Sequence, residues 1–306
     1  MTNLQRSIRK PAVAGQFYST DKEELENQIK EAFLSKFGPG KLPENKTADK
    51  KQKKQIRAAI VPHAGYMFSG PAAAHAYKAI SESKLPDIFL ILGTNHSSNN
   101  TCFCDQDYET PLGIAKTDRE FVKFVSEKCD IPVNNLANKY EHSIEVQIPF
   151  LQFISKLNKK IEIATLLVSA DKDLEKLGKA IAEAIKQYEK TGKKILIITS
   201  SDFTHFGFNY GYVPFMPGPE SKEKLKELDS GAINFIKKKD SKGFLSYIEK
   251  TNATICGAMP IALLINIINN LYDKKENKVE LLKYYTSSDI VNSFGSSVSY
   301  ASIIFE

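Results

Sequence analysis

The chain has 306 residues, 42% of them hydrophobic and 25% charged, with a net charge of +6; this is the balance of an ordinary globular protein with enough length for a sizeable core. No apolar run approaches the roughly 20 residues that span a bilayer, and Met1–Lys10 lacks the apolar stretch of a secretion signal, so a cytoplasmic protein without a membrane partner is expected. Much of the positive excess sits in Lys41–Arg57, mixed with Pro, Asn and Thr and without interleaved aromatics, which describes a solvated loop and argues against nucleic acid as a partner.

In chain order, the first periodic segment is Asp21–Phe37, with apolar residues at Leu25, Ile29, Phe33 and Leu34 behind a capping box of Thr20 and Glu23. That pattern predicts an amphipathic helix. Short apolar runs at Arg57–Val61, Ile88–Leu92, Ile161–Val168 and Ile195–Thr199 follow, each expected to be a strand buried on both faces. Helical patterns lie among them at Pro71–Ser81, Asp118–Lys128, Ser143–Leu157, Asp173–Tyr188 and Lys222–Lys239, and an apolar helical stretch covers Ile261–Leu271. Glu280–Thr286 and Ser297–Phe305 alternate polar and apolar residues and are expected to add antiparallel strands. The fold class is therefore α/β, a central sheet, largely parallel or mixed, flanked by helices. No internal repeat and no domain boundary emerges, so one domain over residues 1–306 is expected.

The four cysteines, Cys102, Cys104, Cys129 and Cys256, are too few and scattered for a disulfide framework, so reduced thiols are expected and a functional one is a ligand or a nucleophile. In open α/β sheets ligands bind beyond the carboxyl ends of the strands. Three of the four strands end there in polar residues: Arg57–Val61 runs into Pro62 and His63, Ile88–Leu92 into Asn95 and His96, Ile195–Thr199 into Asp202 and His205. One histidine after a strand is most simply a loop residue, but three at equivalent ends point to a shared site.

Cys256 precedes the apolar helix, where the dipole is expected to lower its pKa and favour a thiolate; the plainer alternative is a small packed residue. Cys102 and Cys104 would share a strand face with no second pair to complete a zinc site, and they, like Cys129, read as structural. His75 reads as a packed or capping histidine. His142 precedes a helix, with Ser143 or Glu145 available for its first amides, and is a candidate substrate-side or supporting group.

These segments form a recognisable series: RKPAVAGQFY from Arg9, PHAGY, GTNH, EHSIEVQIPFL, SSDFTHFG and CGAMP. The series resembles the MEMO family, also called AmmeMemoRadiSam system protein B, and its motifs run in order from residue 9 to residue 260. The resemblance implies the fold of the class III extradiol ring-cleaving dioxygenases. It also implies a pocket with His63, His96 and Cys256 as metal ligands and with Asp202, His205 and His142 lining it. Partner proteins of a radical-SAM system are implied by the family's name, and a eukaryotic member is described as an adaptor for a phosphorylated receptor tail, for which nothing in this sequence marks a pocket.

Cys256 stands where the dioxygenases' two-His, one-carboxylate iron site has its carboxylate, so ring cleavage is not carried over; thiolate shifts the preference toward iron, copper or zinc. The leading expectation is a metal-dependent redox or oxygenase-like enzyme holding iron(II), with copper or zinc as alternatives, and with His205 or His142 as acid or base and Asp202 orienting His205. The alternative is a non-catalytic cleft that binds a peptide or small acid. Metal-free thiol chemistry at Cys256 comes third.

Overall fold

Aspartates cap four of the described helices, and continuous apolar runs form the central strands, which are buried along nearly their whole length. A computed structural model describes residues 7–44, 55–156, 161–272 and 278–306; the middle of the lysine-rich loop, residues 45–54, and the expected helix end at Leu157 lie outside them.

In chain order the elements are β1 (Ile8–Arg9), α1 (Lys22–Leu34), β2 (Ala58–Val61), α2 (Tyr66–Ser81), β3 (Ile88–Thr94), β4 (Cys102–Cys104), β5 (Asp107–Thr110) and β6 (Gly113–Ala115). There follow α3 (Arg119–Cys129), α4 (His142–Glu145), α5 (Ile148–Ser155), β7 (Glu162–Val168), α6 (Leu174–Tyr188), β8 (Ile195–Ser200) and β9 (His205–Gly207). The chain closes with α7 (Ser221–Lys237), α8 (Ser241–Thr251), α9 (Ala258–Leu271), β10 (Val279–Thr286), α10 (Ser287–Val291) and β11 (Ser296–Phe305).

The main sheet has the order β10-β11-β2-β8-β3-β7-β4, with β9 paired to β11 as its eighth strand among the described residues. Its centre, β2-β8-β3-β7, is parallel, and β10, β11 and β4 add antiparallel edges. This is the mixed sheet flanked by helices that the alternation of strand and helix patterns predicts. Successive residues of a strand face opposite sides, so Ile88, Leu90 and Leu92 enter a core shared with α6 and α9, while Phe89 and Ile91 enter one shared with α1, α2 and α5. No described helix is long and apolar enough to cross a membrane.

The helix starts depart from expectation in informative places. Asp21, one residue after Thr20, caps α1 by accepting the Glu24 amide at 2.9 Å, and Asp118, Asp173 and Asp240 do the same for α3, α6 and α8. Helix α2 begins at Tyr66 and carries Pro71 inside it, where the sequence pattern starts it at Pro71. The helix expected over Ser143–Leu157 breaks into α4 and α5, with Pro149 in the first turn of α5; a proline there has no N–H to continue the ladder of α4. That break turns Gln147 inward, where it is 1% exposed. Helix α8, which sequence reasoning passed over, does carry a helical period, with Phe244 buried and Leu245, Tyr247 and Ile248 packed against the same core. Cys102 and Cys104 are buried in the core against α5, and Cys129 packs against the opposite core; His75 holds the Phe37 carbonyl at 3.1 Å, away from the sheet ends.

Candidate metal centre

Strands β2, β8 and β3 lie side by side in register, Val61 opposite Ser200 and Leu92 opposite Thr199. Their carboxyl ends therefore release the chain at one level, and His63, His96 and the 201–205 turn meet there. Cys256 arrives from the other direction: Ile255 bridges Thr204 antiparallel, and the Gly257 amide donates to Ser201 Oγ at 3.0 Å. A Cβ on Gly257 would stand 2.3 Å from Ser201 Cβ, so only glycine lets the Cys256 turn approach β8 this closely.

His63, His96 and Cys256 each offer one ligand atom, all within 4.8 Å of one another, and His63 Nε2 lies 3.1 Å from Cys256 Sγ. Each imidazole has its Nδ1 engaged by protein, His63 with Ser200 Oγ at 3.0 Å and His96 with a Glu141 oxygen at 2.9 Å. That leaves Nε2 on both rings as the available donor, the usual arrangement behind metal-binding histidines. The donor set of two imidazoles and a thiol fits a borderline or soft cation such as iron, copper or zinc, and is poor for magnesium or calcium.

A second grouping, His96, Glu141 and His142, also lies within 4.8 Å, but its carboxylate is already spent. Glu141 accepts from the His96 ring, from the His96 amide at 2.9 Å and from the Ser143 amide at 2.8 Å. Burial pushes the Glu141 carboxyl up, yet the His96 ring and these amides outweigh burial and hold it at about 2. Glu141 is the cap of α4 and the support of His96, its side chain accepting the Ser143 amide; sequence reasoning singled out Ser143 and Glu145 as its helix-start groups, and glutamate is not among the residues that mark a cap in sequence. Glu145 instead turns away and accepts Arg9 at 2.5 Å, the Ala12 and Val13 amides and the Tyr18 hydroxyl, tying residues 9–18 beneath the site.

Burial drives the His63 imidazole down to about 4 against the attraction of Asp202, so it is neutral near pH 7, as a ligand must be. Cys256 contradicts its expectation: burial and then the Asp202 charge push the thiol well above its usual range, because desolvation of a thiolate outweighs the dipole of α9. Asp202 also does something other than expected. Its Oδ1 accepts the His63 amide at 2.8 Å and the Ala64 amide at 3.3 Å, while Oδ2 stands 3.9 Å from His205 Nε2, beyond hydrogen-bond reach. Burial raises the Asp202 carboxyl, but the neighbouring imidazoles and the His63 amide outweigh it and keep it below its usual range. Asp202 thus fixes the turn that presents His63 and faces His205 only as a charge.

His142 stacks on His96 with ring centroids 4.8 Å apart, and its Nδ1 is 3.6 Å from Glu141; burial, more than any neighbour, lowers its pKa. His205 stacks on Tyr210 at 5.1 Å. Both line a cavity of about 510 Å³ together with His63, His96 and Asp202 and with Phe17, Phe68, Tyr210, Val298 and Tyr300. Among the described residues, no lysine or arginine lines it. Its aromatic wall comes from residues far apart in sequence, beyond the reach of motif reasoning.

Residues 9–304 match a family model described as Memo-like protein. A MEMO1 family protein of Pyrococcus furiosus is 38% identical over 97% of this chain and 98% of its own length. MEMO1 family proteins of Thermococcus kodakarensis and Methanopyrus kandleri are 38% and 34% identical, again over 97% of this chain. The crystal structure of an uncharacterized protein from Escherichia coli K12 is similar in fold, with a TM-score of 0.53 at 11% identity over 82% of this chain and 99% of that one.

Proposed function

The chain belongs to the Memo-like protein family, and on that premise we propose that it is a metal-dependent redox or oxygenase-like enzyme in which His63, His96 and Cys256 hold one non-haem ion, iron(II) first and copper or zinc as alternatives. The observation that carries this reading is the convergence of two imidazoles, each with Nδ1 engaged, on one thiol. An ion held by these three residues would supply a redox or Lewis-acid centre. His142 and His205 stand at the cavity wall, and in this reading one of them takes or gives the substrate's proton through its ring nitrogen. The Asp202 carboxylate faces the His205 ring from 3.9 Å. Phe17, Phe68, Tyr210 and Tyr300 hold an organic group and keep water from it.

Protein purified without chelator or tag-derived metal is expected to carry near-stoichiometric iron or copper. His63→Ala and Cys256→Ser should lose it with circular dichroism unchanged. Failure of the unmodified protein to take up iron(II) or copper(I) under anaerobic conditions would overturn the assignment.

The second reading, a cleft that binds a peptide or small acid without turnover, draws support from the aromatic wall. The absence of lysine and arginine from that wall disfavours an acid, which would be buried without a countercharge. Weaker partner binding by His205→Ala, with no oxygen or substrate consumed by the unmodified protein, would favour it.

A further inference from the structure

The three side chains behind His63 form a hydrogen-bonded chain whose direction is forced by counting hydrogens. Tyr77, Gln147 and Ser200 are all buried, at 0%, 1% and 0% exposure, so no solvent enters the count. The Gln147 side-chain amide has two N–H groups and uses both, on the Pro62 carbonyl at 2.9 Å and on Ser200 Oγ at 2.8 Å. Its oxygen accepts from the Tyr77 hydroxyl at 2.7 Å. Reversing the amide would aim its oxygen at the Pro62 carbonyl, which can only accept, and would leave the Tyr77 hydroxyl just the Gln147 backbone carbonyl at 3.4 Å, so this orientation is the one the surroundings allow.

Ser200 has a single hydroxyl hydrogen. The Ser143 carbonyl, 2.5 Å from Ser200 Oγ, is a group that can only accept, so that hydrogen is committed there. The two lone pairs of Ser200 Oγ then receive Gln147 Nε2 and His63 Nδ1, the latter at 3.0 Å. A neutral imidazole carries one N–H, and at His63 it must sit on Nδ1. Nε2 is left as a bare lone pair 3.1 Å from Cys256 Sγ; the thiol hydrogen can donate to it or to the Asp202 carbonyl at 3.6 Å.

We infer that Ser200, held by Gln147 and Tyr77 on one side and by the Ser143 carbonyl on another, is a positioning residue that fixes the tautomer of His63, so that Nε2 presents a lone pair to the ligand position. The inference rests on the metal-site reading for its use, though not for its geometry. It explains why three buried polar side chains are retained beneath a site that a hydrophobic floor could otherwise support. A fully satisfied network of this kind specifies one arrangement, and a broken one leaves buried donors unpaired. It also ties the site to the break between α4 and α5, since Gln147 reaches Ser200 only from that turn.

The test begins on unmodified, metal-free protein at one fixed pH, with nitrogen-15 NMR of the His63 ring. The expected signature is a protonated Nδ1 and an unprotonated Nε2. Ser200→Ala, which removes the acceptor, should populate the opposite tautomer and weaken zinc or iron(II) binding by about 10–100-fold, the usual effect of losing a group behind a ligand. Ser200→Thr, which keeps the hydroxyl, should restore both readouts. A proton on Nε2 in the unmodified protein would overturn the inference, as would a Ser200→Ala protein with tautomer and affinity unchanged. If Ser200→Ala does not fold, the ring signature of the unmodified protein still decides. If the unmodified protein binds no metal, the metal-site reading fails while the tautomer measurement continues to judge the positioning role.

Discussion

At the scale of single residues, the centre is organised by groups that do not themselves face the cavity. Glu141 is the clearest: its carboxylate gathers the His96 ring and two amides, and so sets both the ring plane of His96 and the start of α4. An amide in its place can accept at one end only and would point N–H at one of these donors. Glu141→Gln should therefore weaken zinc or iron(II) binding by about 10–100-fold and cost about 1–3 kcal/mol of stability, measured by metal titration and by urea unfolding. Unchanged affinity would show that His96 needs no such support. Asp202 teaches a related lesson, because its hydrogen bonds go to the His63 and Ala64 amides rather than to the imidazole three residues on. Spacing in sequence puts two side chains near each other; the turn between them decides what they touch.

At the scale of elements, close approach is what brings the pieces of the centre together. Gly93 is the next-to-last residue of β3, where a Cβ would stand 2.5 Å from Ile144 and 2.7 Å from Ser143 Oγ, so α4, with His142 and the Glu141 cap, sits directly on the strand that delivers His96. Behind the 202–205 turn, α7 contributes Asp229, buried and accepting the Thr204 hydroxyl at 2.6 Å and the Tyr284 hydroxyl at 2.7 Å. Burial raises its carboxyl above the usual range, more than these donors lower it. The folded protein thus binds that proton more tightly than the unfolded chain does, so its contribution to stability is full below the ordinary carboxyl pKa and is lost as pH rises through the folded value. Asp229→Asn, which keeps an acceptor without the charge, should remove that loss: relative to the unmodified protein it should gain stability between pH 4 and pH 8, by thermal unfolding at each pH. Asp229→Leu should destabilise at every pH by about 1–3 kcal/mol, because it leaves the two hydroxyls without their acceptor. A pH-independent difference for Asp229→Asn would rule out the raised carboxyl.

At the scale of the whole molecule, the candidate ligands come from residues 63, 96 and 256, so an ion held by all three joins distant parts of the chain. Binding to the folded state alone stabilises it by about 2.7 kcal/mol at a free ion concentration 100 times the dissociation constant, which raises the midpoint of a chain this long by ~5 °C. The expected result is a rise with added iron(II) or zinc that Cys256→Ser abolishes. An equal rise in that variant would place the ion elsewhere.

The sequence by itself determined the class of fold, because buried parallel strands need continuous apolar runs and the helices between them need a 3.6-residue period. It also determined which side chains could meet, since parallel strands in one sheet release their carboxyl ends at one edge, and His63, His96 and Asp202 follow three of those ends. Only the tertiary structure decided how they meet. Pro149 itself announces the break before α5, but the contact that Gln147 then makes with Ser200 and the turn that spends Asp202 on backbone amides depend on residues tens of positions apart. So does the state of the Cys256 thiol, where a local rule, the dipole at a helix start, loses to burial and to a carboxylate from the turn after β8. Periodicity reports which face of an element is apolar; the desolvation and hydrogen-bond partners of a polar group are properties of what packs against it, and those are fixed only when the chain has folded.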